Sequence, residues 1–140
     1  MDLEKGFYYH LESLGQLPSR DGREHALGAV FGALKSIMSP EQAHLMEISL
    51  PPWLKAKWLE EYAVIKGVDN TDVIGLIQLY GDYAYRGAAE RILRAVFGSL
   101  VEVLEQTAKE RLSESLPQEL SPYWKQAQAC SLGETIGQHL

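Results

Sequence analysis

Ala29-Val30-Phe31-Gly32-Ala33-Leu34 occurs twice in this chain, returning as Ala95-Val96-Phe97-Gly98-Ser99-Leu100 after an interval of 66 residues. The correspondence continues without a gap on both sides. Glu24 and Leu27 recur as Glu90 and Leu93, Ser49-Leu50-Pro51 as Ser115-Leu116-Pro117, Leu54 as Leu120 and Trp58 as Trp124, giving 12 identities over the 35 positions from 24 to 58. A fixed internal period marks a repeated supersecondary unit, so it speaks to architecture before it speaks to activity.

The apolar residues around the repeated stretch follow a helical period. Leu27, Val30, Phe31, Leu34, Ile37 and Met38 fall at i, i+3, i+4 and i+7 spacings, and Ile92, Leu93, Val96, Phe97, Leu100, Val103 and Leu104 do so in the second copy. Upstream, Phe7, His10, Leu11 and Leu14 form a helix that Gly15 is expected to end, and Val73, Leu76, Ile77 and Tyr80 form its counterpart before Gly81. Asp21-x-x-Glu24 reads as a capping box opening the second helix near Gly22. Ser39-Pro40-Glu41-Gln42 is a stronger start signal, with an N-cap serine, a first-turn proline and a glutamine completing the box. In the second copy Glu105-Gln106-Thr107-Ala108 stands in its place, which predicts a softer break there, a kink in one longer helix. Ser115-Leu116-Pro117-Gln118 offers a further box, and Trp58 and Trp124 are expected to anchor the last helix of each copy in the core.

No alternating strand pattern competes, so the expected fold is all-α: two related four-helix halves packed as one compact pseudo-two-fold helical bundle. The first half spans 1–66, the second 67–128, and 129–140 is a loosely held tail. A half of this size buries too little apolar surface to be stable alone, and each is expected to cover the other. Gly32 and Gly98 lie inside helices, where glycine costs about 1 kcal/mol relative to alanine. Close approach of the helices that carry them, about the symmetry axis, is the expected compensation.

Composition narrows the function. The 140 residues are 46% apolar with a net charge of −6, shared as −2 and −4 between residues 1–68 and 69–140. That balance opposes binding to nucleic-acid phosphates or anionic lipid, and no basic arm offsets it. No run approaches the ~18 apolar residues of a membrane span. One cysteine, Cys130, offers neither an internal disulfide nor a thiolate cluster. Met1 to Lys5 is acidic, without the apolar core of a secretory leader, so a cytoplasmic protein is expected.

The pattern Ala-Val-Phe-x-x-Leu, followed after about fifteen residues by Leu-Pro-x-x-Leu-x-x-x-Trp, resembles a bacterial family catalogued as domain of unknown function 2267. Here Leu50-Pro51-Pro52-Trp53-Leu54 and Leu116-Pro117-Gln118-Glu119-Leu120 carry that signature, and the resemblance covers roughly residues 5–125. It departs in a short linker and in the missing second Ser-Pro start. The resemblance implies an all-α fold in a bacterial cytoplasm and no assigned activity, so no functional residue is carried over.

Chemistry-bearing residues are sparse. Glu41-x-x-His44 with Glu47 places two carboxylates and an imidazole on one helical face, the pattern of ferritin-like di-iron bundles. Those sites need the pair twice, and the second copy has Thr107 and Glu110 at the matching positions; a solvated helix face is the preferred reading, with no metal and no cofactor. No nucleophile elbow or phosphate-cradling glycine loop is present, and Cys130 lacks the basic setting of a reactive thiol. His10 is expected against Tyr8 and Tyr9, and His25 in solvent. What remains are aromatics: Trp53 and Tyr62 in one cluster, Tyr83 and Tyr85 in another, candidate contact surfaces for a protein partner or self-association. The favoured expectation is a non-enzymatic helical interaction or scaffold module. The alternative is a small-molecule-binding protein or enzyme with its site in the cleft between the halves.

Overall fold

The apolar stripes above become helices wherever they are long enough. The computed structural model describes residues 3–17, 20–60 and 72–138, with backbone alone at 20–21 and 130–138. Within them α1 (Leu3–Gly15), α2 (Arg20–Ile37), α3 (Pro40–Ser49) and α4 (Pro52–Glu60) precede α5 (Val73–Gly81), α6 (Arg86–Val103), α7 (Gln106–Ser115), a 3₁₀ turn over Gln118–Leu120 and α8 (Ser121–Gln138). The fold is all-α, and no strand occurs among the described residues. None of the described helices is long and apolar enough to cross a membrane. The second and third helices of the two copies share their bounds at the 66-residue interval.

The helix ends show which local signals operate. Ser39 accepts from the Gln42 amide while the Gln42 side chain accepts from the Ser39 amide, and Pro40 opens α3, as the sequence predicts. Other expectations are corrected. α2 starts at Arg20, so Asp21 lies inside it rather than capping it. Ser115 turns its hydroxyl back to the Leu112 carbonyl at 3.4 Å, and Gln118 opens a 3₁₀ turn without a side-chain cap. The chain breaks fully between α6 and α7, with Leu104 and Glu105 both extended and no side-chain cap on α7. Packing of α7 on α3 and burial of Leu104 impose that break where the local sequence does not. α8 runs helical to Gln138, into the segment expected as a tail.

Gly15 and Gly81 do close α1 and α5, but the left-handed residues are the next ones, Gln16 (φ 55°) and Asp82 (φ 52°). Each end is a Schellman motif: the Leu17 amide donates to the Glu12 carbonyl at 2.9 Å and the Tyr83 amide to the Gln78 carbonyl at 3.0 Å. Glycine is needed at 81 for space. A Cβ there would stand 2.1 Å from the Tyr83 ring, which folds back beneath the helix end. At the other end of α5, Asp72 accepts from the Gly75 amide and pairs bidentately with Arg86 at 2.8 and 2.9 Å. The Arg86 guanidinium holds the Asp72 carboxyl below the usual carboxylate range.

The first helix of each copy packs chiefly on the second helix of the other, α1 on α6 and α5 on α2, while α3 lies on α7. α2 and α6 touch, but their glycines do not face one another. A Cβ on Gly32 would lie 3.6 Å from the Tyr80 ring of α5, and one on Gly98 would lie 3.1 Å from Leu14 of α1. Close approach therefore does not explain Gly32, where alanine would fit at ordinary contact distance. Behind these helices the two tryptophans are buried, at 2% exposure for Trp58 and 1% for Trp124. Trp58 meets Phe31 edge-on at 5.2 Å and Trp124 meets Phe97 at 5.4 Å, contacts each worth about 0.5–1.5 kcal/mol beyond area burial. The remaining core runs continuously from Phe7 and Leu11 through Val30, Leu34, Ile74, Ile77, Leu93 and Leu100 to Leu120.

Candidate functional site

The crossing of α1 over α6 leaves an open groove of about 410 Å³, lined by Leu14, Gly87, Arg91, Arg94 and Ala95. Gly87, Arg91, Arg94 and Ala95 are spaced i, i+4, i+7 and i+8, so they share one face of α6. Leu14 reaches the groove because it sits in the last turn of α1, and it stays 46% exposed. The floor is thus small and apolar, and both polar side chains are guanidinium groups.

The two arginines are held differently. Arg94 is 4.0 Å from the Glu90 carboxylate and its guanidinium carbon is 5.5 Å from the Tyr123 ring centroid. Arg91 has no described carboxylate within ion-pair range. Its Nε is buried and makes no hydrogen bond among the described residues. The Tyr83 hydroxyl is likewise buried and has no partner among the described residues, and burial pushes its pKa up to about 12 against a smaller opposing pull from Arg91. At neutral pH it is a protonated donor. The end of α6 beside Gly87 adds positive potential, since its N-cap Tyr85 makes no side-chain cap bond to the first-turn amides.

The residues expected from sequence to carry function are not brought together. Glu41 is exposed, His44 lies 3.8 Å from Glu47 on an exposed face of α3, and no group of three metal-ligating side chains forms among the described residues. Trp53 is partly buried and packs against α1, 5.3 Å from Phe7 and 6.1 Å from Tyr8. Tyr83 is folded under Gly81 and against His25, at 5.9 Å between rings. Tyr62 lies outside the described residues, and of the three described Tyr85 stands out, at 57% exposure. His25 is exposed, as expected, and its Nε2 also bonds the Gly81 carbonyl at 2.7 Å, capping the end of α5.

Arg91 and Arg94 escaped the reading of the sequence, although a signal was present. They are where the second copy departs from the first, standing at the positions of His25 and Gly28. At the first-copy positions equivalent to Gly87, Arg91, Arg94 and Ala95 stand Asp21, His25, Gly28 and Ala29, without an arginine. The difference in charge between the copies, position by position, is the signal that marks Arg91 and Arg94.

Fold and groove together define a class, an all-helical protein with a cationic groove between two of its helices. No protein-family model matches the chain, and neither a curated protein nor a solved structure is significantly similar to it.

Proposed function

We propose that this chain is a non-enzymatic helical binding protein whose ligand occupies the groove between α1 and α6. The observation that carries the reading is the groove itself, open, with small and apolar residues on its floor and two guanidinium groups on its lining. Its volume of about 410 Å³ lies within the range of small-molecule sites. A ligand that binds only the folded chain raises its melting temperature by mass action. Thermal-shift measurements across a metabolite collection test the reading: a hit lost on substituting Arg91 supports it, and melting insensitive to every compound refutes it.

The second reading is a protein-interaction module. It is favoured by the exposure of Leu79 (63%) and Tyr85 (57%) at the far end of α5 and the start of α6. Light scattering of the purified chain decides it, a strict monomer across concentration counting against self-association.

We also propose that the two halves are related by a pseudo-two-fold axis passing between α2 and α6. What supports this is reciprocity: Gly32 faces Tyr80 and Gly98 faces Leu14, residues that are themselves 66 apart. Membership of the family catalogued as domain of unknown function 2267, and with it a bacterial cytoplasmic setting, rests on the repeated Leu-Pro-x-x-Leu segments. Fractionation of cells expressing the untagged chain tests the setting.

A further inference from the structure

We infer that the groove between α1 and α6 takes a phosphorylated small molecule, with the phosphoryl group between Arg91 and Arg94. The inference rests on the groove being a ligand site and goes further in naming the ligand's chemistry. The chain as a whole is acidic, with a net charge of −6, yet here two guanidinium groups share one helix face, and among the described residues only Arg94 has a nearby carboxylate, at 4.0 Å. Guanidinium groups placed together repel unless an oxyanion lies between them, and their fork of donors matches phosphate oxygens.

Two features select phosphate over a single carboxylate. Arg91 and Arg94 both line the groove, and Arg91 has no counter-charge among the described residues, so two guanidinium groups can share one anion with several oxygens. Gly87 to Arg94 covers about 10 Å along the helix, room for a phosphoryl group and a short organic body. Leu14 and Ala95 provide the apolar surface on which that body would lie. The equivalent positions of the first copy, Asp21, His25, Gly28 and Ala29, carry no arginine, so the site belongs to the second copy alone.

The test is an amide-shift titration of the full chain by NMR with inorganic phosphate, repeated with acetate and with an uncharged fragment set. Phosphate is expected to shift the amides of residues 86–95 saturably. Arg91→Gln should weaken that binding by about tenfold or more, the loss of one charge-assisted contact. Lys125→Gln on α8 should leave it unchanged, and Arg91→Lys should restore part of it. Should Arg91→Gln fail to fold, Arg94→Gln is read in its place. Unsaturable phosphate shifts, or saturable ones indifferent to both arginine variants, overturn the inference. If fragments or acetate shift the groove amides while phosphate does not, the phosphate assignment falls and the groove reading stands. If none of the probes moves those amides, both fall.

Discussion

At the scale of single residues, the glycines separate into those that need space and those that do not. A Cβ on Gly81 would meet the Tyr83 ring at 2.1 Å, so Gly81→Ala should destabilise the fold by about 1–3 kcal/mol, the cost of overpacking. A Cβ on Gly32 would lie 3.6 Å from the Tyr80 ring, and Gly32→Ala should instead stabilise by up to about 1 kcal/mol through helix propensity. Urea denaturation of the two variants beside the native chain checks both signs. Tyr83 carries a second prediction. Its hydroxyl is buried with no partner among the described residues, and its pKa is pushed up to about 12 by burial. The folded state therefore resists ionisation that the unfolded chain undergoes near the ordinary value of about 10. Stability from this group is fully present below about pH 10 and is lost as pH rises toward about 12. Tyr83→Phe should flatten that alkaline loss in denaturation curves recorded across the range, and at neutral pH it should cost little or stabilise, because it removes an unmet donor.

At the scale of elements, caps distinguish two helices that occupy the same place in their copies. α3 begins with a complete box on Ser39 and Gln42, and α7 begins on Glu105 with no side-chain bond to its first turn. Ser39→Ala should cost about 1 kcal/mol, and Glu105→Ser should gain a similar amount by supplying the missing acceptor. Chemical denaturation of each single variant reads this directly. The start of α3 was legible because Ser-Pro-Glu-Gln is a local signal whose hydrogen bonds lie within four residues. The start of α7 was not, because nothing local stops α6 at Val103; burial of Leu104 and the packing of α7 on α3 do. The same contrast holds at Ser115, where a local box was expected and the hydroxyl serves the preceding turn instead.

At the scale of the whole molecule, the first helix of each copy packs mainly on the other copy. Neither half closes its own core. A peptide of residues 1–66 lacks α6 to cover Phe7 and Leu11, and one of residues 67–140 lacks α2 to cover Ile74 and Ile77. Each should show little helix by circular dichroism alone, and mixing the two should recover helix signal cooperatively. Independent folding of either piece would contradict this account of the core. The same exchange of helices creates the groove, since Leu14 comes from one copy and Arg91 and Arg94 from the other.

The sequence by itself determined the helical class, the register of the repeat, the helix bearing each apolar stripe and the burial of Trp58 and Trp124. Those follow from period and hydrophobicity, which are properties of neighbours along the chain. Tertiary structure alone decided that α1 lies on α6, that Trp53 and Tyr83 turn inward, and that among the described carboxylates none pairs with Arg91 while Glu90 lies beside Arg94. A side chain's partners across a helix crossing depend on which faces meet. Two amphipathic helices of the same period can meet in several ways, and only the closing of the full core selects among them.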